Sequence, residues 1–129
     1  MKTTTEIIKT DWFLDKENFE GTVSFRGKKG GIIHAFSYGI EFKKGQKIEL
    51  ELDFIGKELE WDTIFSENPE KEIKVEWKGG WEYETYGKIM NINPVLIDFG
   101  EFELNTGNWT NDKKIIGEYV FWKIERLDI

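Results

Sequence analysis

The stretch from Tyr86 to Trp109, YGKIMNINPVLIDFGEFELNTGNW, decides the fold class. Large apolar residues recur at every second position on both sides of Gly100, namely Val95, Ile97, Phe102 and Leu104. A two-residue period is typical of a strand with one face in a hydrophobic core. Asn93-Pro94 and Gly100 are turn residues that bound such strands. The stretch therefore predicts two strands that cross the core of a β-protein.

The same alternation continues outward in both directions. It predicts further strands over residues 6–14, 19–25, 32–42, 47–55, 72–78, 81–85 and 117–127. Glycine-rich turns at 27–31 and at Gly79-Gly80 separate neighbouring strands, and a Gly-Gly pair favours a tight hairpin. The last strand is apolar on both faces at its start, which predicts a central or barrel-closing position.

Residues 56–71 lack this alternation and predict a short helix or a turn-rich excursion that returns Leu59, Trp61 and Phe65 to the core. Roughly eight short strands with no long amphipathic helix predict an all-β fold. We expect a single antiparallel barrel, OB-like or a related Greek key. A two-sheet β-sandwich is the alternative.

Composition limits the class of protein. A chain of 129 residues predicts one domain over 1–129, with 39% hydrophobic residues to fill its core. The absence of cysteine excludes a disulfide framework and a Cys-based zinc site. The N-terminal sequence has no secretory pattern, and no apolar run is long enough to span a bilayer. We therefore expect a cytoplasmic protein that does not enter a membrane.

The charge predicts the kind of partner. The net charge is −7, and residues 48–129 carry nineteen Asp/Glu against nine Lys/Arg. An acidic surface favours a basic protein partner, because complementary charge speeds encounter and suppresses wrong partners. The prediction is a non-enzymatic interaction module, immunity- or inhibitor-like by analogy of size and charge, and monomeric or homodimeric. The candidate binding residues are Glu49, Glu51, Glu82, Glu84, Trp81 and Tyr83.

The aromatic residues near the Gly-Gly hairpin and the loop at Trp109 leave two interpretations open. If they are exposed, they form a stacking platform for a sugar or an anchor for a protein. If they are buried, they belong to the core.

A basic, aromatic segment from Arg26 to Lys47 gives an alternative function. Its only acid is Glu41, and its candidate residues are Arg26, Lys28, Lys29, Lys43, Lys44, Phe36 and Tyr38. Cations that follow a phosphate backbone, together with aromatic rings that stack on bases, are typical of single-stranded nucleic-acid binding. Lysines in turns also serve solubility and protect sheet edges, which is the competing interpretation.

A hydrolase is the third hypothesis. The chain repeats Glu-x-Glu at 49/51, 58/60, 82/84 and 101/103, which places two carboxylates about 7 Å apart on one face of a strand. Alternating Glu also describes a solvent-facing strand. His34 is the single histidine and has no cysteine to pair with, and no metal or phosphate-loop motif is present. We therefore expect no enzyme, no metal site and no cofactor.

Overall fold

The computed structural model describes residues 2–56 and 58–129. Ten strands fall in these ranges: β1 Lys2–Asp15, β2 Glu20–Arg26, β3 Ile32–Ser37, β4 Lys47–Glu51, β5 Asp53–Gly56, β6 Lys74–Gly79, β7 Glu82–Asn91, β8 Leu96–Asp98, β9 Glu103–Asn105 and β10 Tyr119–Asp128. A six-residue helix, α1 (Trp61–Ser66), follows β5, and one 3-10 turn covers Lys113–Ile115. No helix within the described ranges is long and apolar enough to cross a membrane.

The strands form one continuous sheet that curls strongly into a half-barrel. Its order is β4-β1-β2-β3-β10-β7-β8-β9, with β5 added to β10 and β6 added to β7. All pairings are antiparallel except the short parallel contact of β10 with β3. The expected all-β, barrel-like fold is confirmed, while the finer OB-like classification stays a prediction.

The core follows the alternation of the Tyr86–Trp109 stretch. Four alternating apolar side chains are all fully buried: Val95, Ile97, Phe102 and Leu104. Ile97 lies on β8 and Leu104 on β9, while Val95 and Phe102 directly precede these strands. Gly100 lies in the turn between the two strands, at a φ of 89°. The predicted pair of core-crossing strands is therefore confirmed.

Two predicted strands are shorter than the alternation suggests. β3 ends at Ser37 rather than residue 42. This is because the backbone at Gly39 takes a φ of 86° and its N–H donates to the carbonyl of Asn18, in the turn between β1 and β2. The predicted strand over 47–55 is two strands that meet at the buried Leu52. β4 pairs with β1, whereas β5 pairs with β10, so the chain changes partner at that residue.

The last strand is central, as predicted. β10 pairs with β7 through Tyr119–Ile124 and with β5 through Ile124–Asp128, and it reaches β3 at Asp128. A bulge between Ile124 and Arg126 inserts one extra residue in β10. The bulge reverses the faces beyond it and turns Leu127 into the core, whereas the uninterrupted alternation places Leu127 on the face opposite Ile124.

Tyr83 joins β7 to β3, which are not paired with each other. Its hydroxyl oxygen accepts a hydrogen bond from the backbone N–H of His34 at 2.9 Å. The side chain is only 1% exposed, and this burial raises the pKa of Tyr83 to about 12. The phenol therefore stays neutral and serves as a fixed acceptor between the two strands.

Replacing Tyr83 with Phe is expected to destabilise the fold by about 1–3 kcal/mol. The change keeps the ring in the core but leaves the His34 N–H without its partner. Urea unfolding measures the loss. Tyr119→Phe, on the half-buried face of β10, is the control and is expected to change the free energy of unfolding by less than about 0.5 kcal/mol. Equal effects of the two substitutions would contradict the assigned role.

Candidate functional site

A surface pocket of about 480 Å³ lies where β5, α1, β10 and the loop after β9 meet. We call it the aromatic pocket. Its lining is dominated by aromatic and aliphatic side chains, with few polar groups: Phe54, Gly56, Glu58, Leu59, Trp61, Ile64, Thr106, Trp109 and Trp122. A concave, mainly apolar surface with a few polar groups is the usual form of a binding site.

The three tryptophans come from three different elements. Trp61 opens α1, and the buried Ile64 holds that helix against the protein. The Trp109 ring lies 5.7 Å from the rings of both Trp61 and Trp122, and Phe54 meets the edge of Trp122 at 6.3 Å. Trp61 is 47% exposed, so an aromatic face is presented to solvent at the mouth of the pocket.

A hydrogen bond fixes the ring of Trp109, whereas the indole N–H of Trp122 has no partner among the described residues. Trp109 donates its indole N–H to Thr106 Oγ1 at 3.0 Å, and the Thr106 hydroxyl donates to the Val95 carbonyl. Trp122 shares the face of β10 that carries Val120 and Ile124. Its indole nitrogen is buried and has no hydrogen-bond partner among the described residues. A buried donor without an acceptor carries a desolvation cost.

A second hollow, also of about 480 Å³, continues from the aromatic pocket. We call it the carboxylate hollow, and it shares Phe54 and Thr106 with the pocket. One wall is the chain from Glu51 to Phe54 and the other is Asn105–Gly107. The two hollows adjoin at these shared residues and are together named the trench. Three carboxylates, those of Glu51, Asp53 and Glu58, belong to its lining, and no cation does within the described ranges.

The four acids selected from the sequence lie in two places. Glu51 lines the trench, and Glu49 lies two residues before it on β4. Glu82 and Glu84 line a separate hollow of about 160 Å³ that also contains Lys123, the partner of Glu84 across the sheet. β1, β2, β3 and β10 separate β4 from β7 in the sheet order.

The two aromatic residues selected with them hold the fold together. Tyr83 is buried, so of the two interpretations left open for these aromatic residues it fits the core one. Trp81 donates its indole N–H to Thr22 Oγ1 at 2.9 Å and meets the ring of Phe36 at 5.0 Å. Phe13 stacks on Trp81 with 6.2 Å between ring centroids. These contacts fasten the start of β7 to the outer face of β2 and β3.

Acidic partners surround part of the predicted basic segment. Lys28 lies 3.1 Å from a Glu103 carboxylate oxygen, and the Lys29 backbone N–H donates to the Glu101 carboxylate at 2.7 Å. The Arg26 guanidinium lies 3.8 Å from the Glu6 carboxylate. Gly31 packs so closely on Glu101 that a Cβ atom there would overlap the carboxylate. The turn at 27–31 is therefore built around Glu101.

The remaining basic-segment residues are spread over the surface. Lys43 and Lys44 are exposed in the loop beside β1. This loop is held there because the Gly45 N–H donates to the Ile7 carbonyl. Tyr38 is 57% exposed, whereas the ring of Phe36 is covered by the Arg126 guanidinium at 4.4 Å. The structure does not gather these residues into one groove.

The candidate catalytic groups are placed as follows. Ser24 Oγ lies 2.7 Å from His34 Nδ1, but Ser24 is only 4% exposed, so its hydroxyl is not presented to a substrate. Two of the four Glu-x-Glu pairs, 82/84 and 101/103, include carboxylates that contact lysine side chains or a turn. In the described part of the chain, no three His, Asp or Glu side chains are grouped to hold a metal ion.

Sequence reasoning missed most of the aromatic pocket. Trp61 was expected to return to the core, yet it is nearly half exposed. The available signal was the cluster of two aromatic residues and four acids around α1, Glu58-Leu59-Glu60-Trp61-Asp62-Thr63-Ile64-Phe65-Ser66-Glu67. Aromatic residues among acids on a six-residue helix cannot all be buried.

Comparison of the chain with protein-family models, with curated proteins and with solved structures gave no significant match. The function is therefore argued from the geometry of the trench and from the charges around it.

His34 makes stability depend on pH. Partial burial, and secondarily the charge of Lys9, lowers the pKa of His34 below its ordinary value of 6.5. The unfolded chain therefore binds a proton at a pH at which the folded protein does not. The stabilising contribution is complete above about pH 6.5 and is lost as the pH falls through the lowered pKa.

We expect the free energy of unfolding to fall between about pH 7 and pH 5.5 and this slope to flatten in His34→Gln, which has no titrating ring. Urea unfolding at several pH values measures both slopes. An unchanged slope in the variant would show that other groups cause the pH dependence.

Proposed function

We propose that this protein is a non-enzymatic interaction module that binds a basic segment of a partner protein in the trench. The observation that carries the proposal is that a three-tryptophan pocket adjoins a hollow whose described lining contains carboxylates and no cation. The proposal keeps the class of partner expected from the net charge. It keeps the predicted site at Glu49 and Glu51 and leaves out Glu82 and Glu84 of β7.

The aromatic pocket supports binding of a partner side chain. Tryptophan is enriched among the residues that contribute most to protein–protein affinity, because its large rigid ring loses little entropy on binding. Trp61 presents an exposed ring, and Trp109 and Trp122 form the wall behind it. An arginine or lysine side chain that enters the pocket would lie against these rings and gain a cation–π contribution.

The carboxylates support a cationic partner. Glu51, Asp53 and Glu58 belong to the trench lining, and Glu60 and Asp62 flank Trp61 along the chain. Carboxylates around an apolar pocket attract a basic segment during encounter and disfavour an acidic one. The combination distinguishes a basic protein segment from nucleic acid, whose phosphates these carboxylates repel.

The other two functions stay predictions that no specific contact favours. The lysines of the basic turn lie beside Glu101 and Glu103, and the exposed aromatics near them do not share a groove. The proposal assigns the trench to binding on the strength of its aromatic rings and carboxylates.

A Trp61→Ala substitution is expected to weaken binding of a basic probe by at least roughly tenfold, as loss of an anchoring tryptophan does. The probe is a synthetic peptide of about eight residues that alternates Arg with Val, and the affinity is measured by calorimetry. Trp77→Ala is the matched control, because Trp77 is 56% exposed but lies on β6, outside the trench. Equal losses in the two variants would remove the trench as the binding surface.

Charge reversal tests the position of the acidic surface. Glu58→Lys is expected to reduce the affinity for the same peptide several-fold, while Glu82→Lys, on the hollow of β7, leaves it nearly unchanged. Affinity for the unsubstituted protein should fall as NaCl rises from about 0.05 to about 0.5 M, because salt screens exposed charges. A larger effect of Glu82→Lys would return the site to β7.

A further inference from the structure

The two ends of the curled sheet, β4 and β9, face each other across the carboxylate hollow. β4 begins the strand order and β9 ends it, and no pairing joins the two strands among the described residues. The chain that leaves β4, Glu51–Phe54, lines one side of the hollow, and the end of β9, Asn105–Gly107, lines the other. The hollow is therefore the open seam of the half-barrel.

The backbone of β4 has one edge available at this seam. The Ile7 N–H of β1 donates to the Gln46 carbonyl at 2.8 Å, and the Ile7 carbonyl accepts from the Gly45 N–H at 2.7 Å. Peptide groups of an antiparallel strand alternate in direction. The backbone groups of Thr5 and Thr3 therefore also point to β4, where they pair with the backbone of Ile48 and Leu50. The N–H and carbonyl of Glu49 then point away from β1, toward the seam.

We propose that the basic segment binds in extended conformation as an additional strand on the free edge of β4. The inference rests on the proposed function, and it adds how the segment lies and which atoms hold it. The backbone of Glu49 supplies hydrogen bonds to the added segment. Farther along the segment, its side chains enter the trench. Addition of a strand to an exposed sheet edge is a recurrent mode of peptide recognition, in which backbone bonds give affinity and side-chain pockets give specificity.

The charge along this path favours a cationic occupant over a second copy of the chain. The charged residues of β4 after Lys47 and those in the described lining of the trench are acidic: Glu49, Glu51, Asp53 and Glu58. A second β4 laid on this edge would place like charges opposite one another, which is destabilising in a paired sheet. A segment with Arg or Lys at alternate positions places its cations beside these carboxylates instead.

Backbone N-methylation of the probe tests the inference without altering the protein. Two isomers of the Arg-Val peptide are compared, one methylated at its Arg nitrogens and the other at its Val nitrogens. Alternate N–H groups of a strand point to the same edge, so each isomer blocks one edge only. We expect one isomer to lose binding by at least roughly tenfold while the other binds nearly as well as the unmethylated peptide.

The outcomes separate the two proposals. Equal affinities of the two isomers, with the unmethylated peptide still bound in the trench, overturn strand addition and leave the proposed function standing. Failure of the unmethylated peptide to bind at all overturns the proposed function itself.

A pair of substitutions on β4 gives an independent readout. Glu49→Pro removes the N–H that points to the seam, and Glu49→Gln removes the charge but keeps the N–H. We expect the proline variant to bind the peptide at least roughly tenfold more weakly than the glutamine variant, with circular dichroism showing that both are folded. Equal binding by the two folded variants overturns the inference.

Discussion

The pairing of β10 with three other strands is the constraint on which the rest of the structure depends. At Ile124 the strand pairs with Tyr83 of β7 and with Gly56 of β5, so these two strands must occupy its opposite edges. Placing β5 there brings Phe54 beside Trp122 and carries the following helix over the same face of β10. The position of the aromatic pocket follows from the register of this one strand.

The trench exists because the chain changes partner between β4 and β5. β4 stays on β1 at one end of the sheet, and β5 crosses to β10 after the buried Leu52. The curled sheet therefore ends in two strands that do not pair, with a hollow between them. A closed barrel would satisfy these edges internally, whereas an open seam leaves backbone groups unpaired at the sheet edges.

The sequence predicts the core better than the site, and the reason is physical. Alternation reports burial of one strand face, so Val95, Ile97, Phe102 and Leu104 were predicted correctly. A two-residue period does not show which strand pairs with a given strand. The alternation continues unchanged through Leu52, where the pairing partner changes from β1 to β10. Exposure of an aromatic ring likewise depends on what covers it. Trp61, expected in the core, is therefore 47% exposed, whereas Tyr83, a candidate binding residue, is buried.

The most direct test of the trench is to follow the indole N–H signals of the six tryptophans by ¹H–¹⁵N NMR during titration with the Arg-Val peptide. Single substitutions assign the signals. The account predicts that Trp61, Trp109 and Trp122 shift with one common affinity while Trp12, Trp77 and Trp81 stay in place. Shifts confined to Trp77 and Trp81 would contradict the account and place binding on the β6–β7 hairpin.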